Sequence, residues 1–224
     1  MEIEAKFRLL EPAEEDCRRL QSAFGLAGYV VVDDLDLIHI VDTYFDRVDH
    51  DLKRLGAALR IRRENNQLLL TFKRKVSQEG ALHARVELEA EPTPEHLRRV
   101  FEELEKLHLP LGRQQPQQFS GIQLEGLLRG WGLVAMLEIS TERCSFNVGN
   151  QDRTLVHVVL DRVQFEHGKR QGGYSGIEIE AAGDENAEAV RVLSEILKTE
   201  WGERIQGQEI SKYEFALQSL GIGG

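Results

Sequence analysis

Pairs of like charge separated by a single residue recur along this chain: Glu2 and Glu4, Arg60 and Arg62, Lys73 and Lys75, Glu87 and Glu89, Glu178 and Glu180. On a β-strand side chains alternate between faces, so each pair shares one face with its members about 7 Å apart by strand rise. Paired carboxylates supply hard oxygen ligands suited to Mg²⁺ or Mn²⁺, ions that keep several waters and prefer a few acids plus substrate phosphates. The basic pairs suit those phosphates: an Arg fork grips two oxygens at once and a Lys acts as a compact point charge. Taken singly, either kind of pair also suits a solvated strand face that discourages edge-to-edge association. Their coincidence in one chain favours a shared site for metal, oligophosphate and a nucleophilic water.

Such a site needs strands to carry it. Alternating or β-branched stretches predict eight, near 2–9, 38–46, 56–64, 67–76, 83–91, 135–148, 154–165 and 174–182. Eight strands suffice to close a barrel. Asn65-Asn66 is a short polar link that makes the flanking strands an antiparallel hairpin, so Arg60, Arg62, Lys73 and Lys75 share a face. Four like charges so crowded require an anion among them if they lose water. Helices are predicted from Glu14 to Phe24, from Pro94 to Leu107 behind the N-cap Thr93, from Ser120 to about Arg129 with Gln123 completing a capping box, from Asn186 to Trp201 and from Ser211 to Leu220. The run from Pro110 to Gln118 reads as a surface connection, and the whole chain, 1–224, reads as a single domain with a helical excursion over about 93–132.

Composition narrows the partners. A chain of 224 residues with 41% hydrophobic content can bury a substantial core, and a net charge of −10 disfavours nonspecific binding to nucleic acid or an anionic membrane. No stretch approaches the roughly 20 apolar residues of a membrane span, and the acidic start lacks the order of a signal peptide, so a cytoplasmic protein is expected. Cys17 and Cys144 have no metal-ligand spacing and read as buried, reduced thiols. His83 and His157 read as packed or solvent-facing, and the loop from His167 to Tyr174 reads as a hairpin turn, since it lacks P-loop spacing. Lys212, just inside a helix start where a cation is unfavourable, makes sense if it meets phosphate.

The start Glu2-Ile3-Glu4-Ala5-Lys6 resembles the Glu-x-Glu-x-Lys signature of the CYTH domain, or triphosphate tunnel metalloenzyme, superfamily. The resemblance continues in family order through Asp42-Thr43-Tyr44-Phe45-Asp46, Leu59-Arg60-Ile61-Arg62, Thr71-Phe72-Lys73-Arg74-Lys75, Arg85-Val86-Glu87-Leu88-Glu89, Leu160-Asp161, Ile177-Glu178-Ile179-Glu180 and Ser211-Lys212-Tyr213. Arg143 looks like the family's substrate-binding arginine, although its parity departs from that of Glu138 and Ser140; a bulge near Ser140-Thr141 would reconcile them.

The resemblance implies an α+β fold: a closed eight-stranded antiparallel β-barrel open as a tunnel, charged inside and covered outside by helices. The outward apolar stripe, with Ile3, Phe7, Leu59, Ile61, Leu70, Phe72, Ile177 and Ile179 among its members, would then form a hydrophobic core outside the wall. It further implies that Glu2, Glu4, Asp161, Glu178 and Glu180 hold one or two Mg²⁺ or Mn²⁺ ions. Lys6, Arg60, Arg62, Lys73, Lys75, Arg85, Arg143 and Lys212 would grip the phosphates, with Glu87 and Glu89 orienting the bases. Glu2, Glu4 and Lys6 would form the catalytic group for in-line attack of water on the terminal phosphorus. Ala58 stands where thiamine triphosphatases of the animal type carry a stacking Trp, and the sequence around Arg60 looks more like bacterial inorganic triphosphatases. Tripolyphosphate is the expected substrate and nucleoside triphosphate a poorer one. Thiamine triphosphatase, class IV adenylyl cyclase and a noncatalytic polyphosphate-binding module are the alternatives, and oligomeric state is left open.

Overall fold

The computed structural model describes residues 2–26, 29–33, 36–79, 82–112, 121–150 and 153–222, with the side chains of 2, 26, 77–79, 82–85 and 121–122 outside the description. The expectations for Ser120, for 113–118 of the surface connection and for the side chains of Glu2, His83 and Arg85 therefore lie outside the described residues.

Among the described residues ten strands form one sheet, with all pairings antiparallel. In chain order they are β1 (Glu2–Leu9), β2 (Val30–Val31), β3 (Asp36–Asp46), β4 (Ala57–Glu64), β5 (Gln67–Glu79), β6 (Leu82–Ala90), β7 (Val134–Asn150), β8 (Arg153–His167), β9 (Arg170–Ala181) and β10 (Ile205–Gly207). The helices are α1 (Asp16–Leu26), α2 (Asp51–Arg54), α3 (Pro94–Glu105), α4 (Gly121–Gly130), α5 (Ala187–Trp201) and α6 (Lys212–Leu220). Local chemistry explains several boundaries. Asn65 and Asn66 both adopt positive φ, 45° and 67°, which suits the tight turn joining β4 to β5. Thr93 caps α3 by accepting from His96 N–H at 3.2 Å, and Ser211 with Glu214 forms a capping box at α6.

The expected closed eight-stranded barrel requires correction. β1 pairs with β6 over Glu2–Ala5 and with β9 over Glu4–Leu9, while β10 takes the edge of β1 from Phe7 to Leu9. Only Glu4 and Ala5 have partners from both β6 and β9. The ten-stranded sheet thus curls on itself and meets along a short seam at β1, because β10 occupies the edge that an even barrel would give to β6, rather than closing into an eight-stranded barrel. The expected bulge at Ser140-Thr141 is likewise absent: β3 and β7 stay in register from Asp36↔Ser145 to Tyr44↔Leu137, and the shift falls between Tyr44 and Phe45. Arg143 therefore shares its face with Thr141, Ile139 and Leu137, and Glu138 and Ser140 belong to the other.

Two apolar clusters lie on the convex face. In one, Phe7, Val158, Ile177 and Ile179 pack under α1 and α5 with Phe24, Leu193, Leu197 and Trp201. In the other, Leu59, Ile61, Leu70 and Phe72 pack under α3 and α4 with Leu97, Val100, Leu127 and Trp131. A third was not expected. Tyr44, Leu137, Ile139, Val163 and Phe165, in phase with Asp42, Arg143 and Asp161, bury against Tyr213, Ala216, Leu217 and Leu220 of α6. The core is therefore not wholly outside the wall: α6 fills part of the concave side. The thiol expectation is also corrected, since α1 packs on β7 and Cys17 and Cys144 are joined in a disulfide with Cα atoms 6.6 Å apart. Spacing of 127 residues in sequence gives no hint of that approach.

Candidate functional site

Between α6 and the concave faces of β1, β4, β5, β6 and β9 lies a cavity of about 770 Å³. Strand alternation delivers Lys6 from β1, Arg60 and Arg62 from β4, Lys73 and Lys75 from β5, Glu87 and Glu89 from β6, Arg143 from β7, and Glu178 and Glu180 from β9; α6 adds Lys212. Cations outnumber acids on this lining, in a chain whose net charge is −10. Glu4 and Asp161 stand behind it, each 1% exposed.

The expected crowding of like charges is relieved by interleaved acids. Asp42, 1% exposed, accepts from Arg62 Nε at 2.9 Å and Nη2 at 3.0 Å and from Arg60 Nη1 at 3.3 Å. Arg60 also donates to Glu89 at 3.3 Å and to the Tyr44 hydroxyl at 3.2 Å. Lys73 pairs with Glu87 at 3.0 Å. On the opposite wall Arg143 forks onto Asp161, both contacts 2.8 Å, and Lys212 bridges Asp161 and Glu178, again at 2.8 Å each. Lys6 lies 3.0 Å from Glu4 and 3.3 Å from Glu178. Each buried base is thus held in one place by a carboxylate, which removes reorganisation from any later binding of an anion.

These contacts set the titration of the acids. Burial works to raise the Asp42 carboxyl, but Arg60 and Arg62 more than offset it and hold the group at about 2. Glu89 is also held at about 2: burial opposes, and Arg60, Arg62 and the Thr71 hydroxyl prevail. Asp161 and Glu178 are lowered against burial by Arg143, Lys212 and Lys6. Burial presses the Lys212 ammonium toward neutrality, yet Asp161 and Glu178 keep its pKa above the ordinary lysine value. A depressed carboxyl contributes stability that is complete above its unfolded pKa and lost as pH falls through the folded one. The melting temperature is therefore expected to hold from pH 7 to about 5 and to drop between about 4 and 2. A melting profile flat to pH 2 would contradict these pairings.

The CYTH domain profile matches residues 1–213. The chain belongs to the CYTH domain family. No curated protein matches it. Among solved structures, this CYTH domain is similar to a Hippeastrum protein proposed as an adenylyl cyclase and described as having a dominant triphosphatase activity, at 21% identity and TM-score 0.57 over 96% of this chain and 94% of that one. A protein from Pyrococcus horikoshii aligns at 22% identity and TM-score 0.54, covering 97% and 99% of the two chains. A Bacillus halodurans protein proposed as an adenylate cyclase aligns at 21% and 0.51, covering 96% of each. These likenesses show the fold.

Within this CYTH domain the carboxylates expected to hold metal divide into two groups. Glu4 and Glu180 face each other directly across β1 and β9, with the Lys6 ammonium 3.0 Å from Glu4. Glu2 lies two residues earlier on β1. Asp161 and Glu178 are each held by Arg143 and Lys212, and Lys6 pairs with both Glu178 and Glu4. Among the described residues no group of three or more His, Cys, Asp or Glu side chains is arranged as a metal site. The hard-oxygen chemistry of Glu4 and Glu180 fits Mg²⁺ or Mn²⁺; Asp161 and Glu178, each held by both Arg143 and Lys212, fit the role of a clamp for bases.

Several lining residues escaped sequence reasoning. Tyr44 and Tyr213 stack with centroids 4.9 Å apart and 3° between planes, joining β3 to the start of α6. Tyr44 has the parity of Asp42, so alternation alone could have placed it. Asp42 was visible only as part of a motif, and its grip on both arginines needed coordinates. Lys53, on α2, also reaches the cavity, and no periodic signal points to it. His157, by contrast, is exposed and bonds to Asn147, away from the lining. No described helix is long and apolar enough to cross a membrane.

Proposed function

We propose that the protein is a divalent-cation-dependent hydrolase that removes the terminal phosphate of inorganic triphosphate. The observation that carries this reading is the convergence of Lys6, Arg60, Arg62, Lys73, Arg143 and Lys212 on one cavity, most of them already fixed by buried acids. Six bases gathered on one cavity, each held by an acid, match a chain of phosphoryl groups whose charge is spread over many oxygens. Glu2, Glu4 and Glu180 would hold the cation, which when bound supplies further charge neutralisation and a lowered pKa for water beside it. Arg143 and Lys212, oriented by Asp161 and Glu178, stabilise the charge of the transferring group; Arg60 and Arg62, oriented by Asp42 and Glu89, align the remainder for in-line attack. Phosphoryl transfer asks mainly for positioning and electrostatics, and both are what these residues provide.

Small residues at Gly56, Ala57 and Ala58 leave no stacking surface for a thiamine ring on that edge of the cavity. Acids beside the bases favour hydrolysis over simple binding of a polyanion, because they oppose it unless a cation is present. The triphosphatase activity described for the Hippeastrum protein agrees with this reading. The test is product analysis with tripolyphosphate, ATP and thiamine triphosphate, each in Mg²⁺ or Mn²⁺. Orthophosphate from tripolyphosphate is expected, with kcat/KM at least about tenfold above that for ATP, which corresponds to about 1.4 kcal/mol of transition-state preference. Cyclic AMP with pyrophosphate from ATP, or no turnover of any of the three, would overturn the proposal.

A further inference from the structure

Arg60 is held differently from Arg62, Arg143 and Lys212. Those three each reach a carboxylate at 2.8–3.0 Å, well inside the ordinary range of a hydrogen bond. Arg60 makes three contacts at the long edge of that range: Nη1 to Asp42 at 3.3 Å, Nη2 to Glu89 at 3.3 Å and Nη1 to the Tyr44 hydroxyl at 3.2 Å. Both of its acids are shared. Asp42 already accepts the fork of Arg62, and Glu89 accepts from the Thr71 hydroxyl at 2.6 Å. The Arg60 Nε is buried and has no hydrogen-bond partner among the described residues. The shortest of the three contacts, and the one that is not to a carboxylate, is therefore the contact with Tyr44.

A hydroxyl in that place does what a third acid would not. It orients the guanidinium without neutralising it, so the charge stays available to an anion in the cavity. The hydroxyl is itself fixed. Tyr44 is 4% exposed, its ring lies nearly parallel to that of Tyr213 with centroids 4.9 Å apart, and both belong to the buried cluster of Leu137 and Ile139. Tyr213 directly follows Lys212 on α6, and its own hydroxyl is buried without a partner among the described residues, so its ring is what serves as the mount. The hydroxyl of Tyr44 is not needed to hold the sheet together, because β3 and β4 are joined along the backbone from Ile40↔Glu64 to Phe45↔Leu59.

We propose that Tyr44 is a positioning residue for phosphoryl transfer: mounted on Tyr213, its hydroxyl holds the Arg60 guanidinium in the orientation that meets the substrate. This deepens the triphosphatase reading and rests on it.

A double-variant cycle on tripolyphosphate hydrolysis in Mn²⁺ tests the coupling. Tyr44→Phe keeps the ring and its stack and removes only the oxygen. Its kcat/KM is expected to fall about tenfold, with kcat carrying most of the loss, since a misaligned group costs more in the transition state than in binding. Its melting temperature should fall by no more than about 5 °C, as one hydrogen bond is lost and Arg60 keeps both acids. In an Arg60→Ala background, followed by phosphate release over hours, adding Tyr44→Phe should cost less than about twofold. Arg60→Lys, which keeps the charge without the fork, gives a faster second background with the same expectation. Unchanged kcat/KM in Tyr44→Phe would overturn the proposal, and so would the same fold-loss with Arg60 present and absent, which is the mark of a purely structural role or of direct contact with substrate. A parent that releases no orthophosphate from tripolyphosphate would remove the underlying reading as well.

Discussion

Glu4→Gln is expected to abolish divalent-cation-dependent turnover of tripolyphosphate, a fall of about 10²–10³ or more in kcat, with the fold intact. Glutamine keeps the shape of the side chain and removes only its charge. Glu4 is 1% exposed and directly opposes Glu180 across two strands, so its charge matters chiefly to what lies between those acids and to Lys6, 3.0 Å away. A readout independent of activity is available. A cation at about a hundred times its Kd stabilises the folded state by about 2.7 kcal/mol, and for a chain of this size that raises the melting temperature by about 5–11 °C. The parent should show such a shift in Mn²⁺ and the variant should not. Equal shifts with unchanged activity would remove Glu4 from the cation site.

Arg62→Ala should raise KM and lower kcat together, with kcat/KM for tripolyphosphate falling about 10²–10³-fold. It should also destabilise the protein. Arg62 forks onto Asp42, and without it a carboxylate 1% exposed keeps only the longer 3.3 Å contact from Arg60. Breaking a buried pair from one side typically costs about 3–5 kcal/mol, because the remaining charge stays desolvated. The two effects separate in the double variant that adds Asp42→Asn, which relieves the stranded charge: stability should recover in large part and activity should not. Tripolyphosphate should raise the melting temperature of the parent more than that of either variant. Equal thermal shifts would remove Arg62 from the binding set.

Much of this architecture is legible in the chain because β-strands convert a two-residue period into a face. The pairs at Arg60 and Arg62, Lys73 and Lys75, and Glu178 and Glu180 point to a common side, and the cavity lining brings them together. The main strands and most helix ends follow from alternation, the Asn65-Asn66 turn and the caps at Thr93 and Ser211. What stayed hidden depends on contacts between distant segments. The short β10 competes with β6 for the edge of β1, and nothing local in Ile205–Gly207 announces that pairing.

The inner apolar cluster was more accessible than it seemed. Tyr213, Ala216, Leu217 and Leu220 recur at helical spacing, and Leu137, Ile139, Val163 and Phe165 stand in phase with Arg143 and Asp161, so the charged face carries its own greasy patch for α6. Expecting a bulge at Ser140-Thr141 to bring Arg143 into phase with Glu138 and Ser140 concealed this, because β7 runs through that point in register. The division of labour among the acids was not legible at all, since it is the approach of Arg143 and Lys212 from distant segments that holds Asp161 and Glu178. The Cys17–Cys144 link is of the same kind, set by how α1 lies on β7.

The central claim is that bases and carboxylates face one cavity in order to receive a polyphosphate and a divalent cation together. A crystal structure grown with tripolyphosphate and Mn²⁺, with the cation located by its anomalous scattering, tests it most directly. The account predicts Mn²⁺ beside Glu4 and Glu180 and phosphoryl oxygens against Arg60, Arg62, Arg143 and Lys212. Tripolyphosphate bound elsewhere on the surface, with that cavity holding neither ion nor anion, would contradict it.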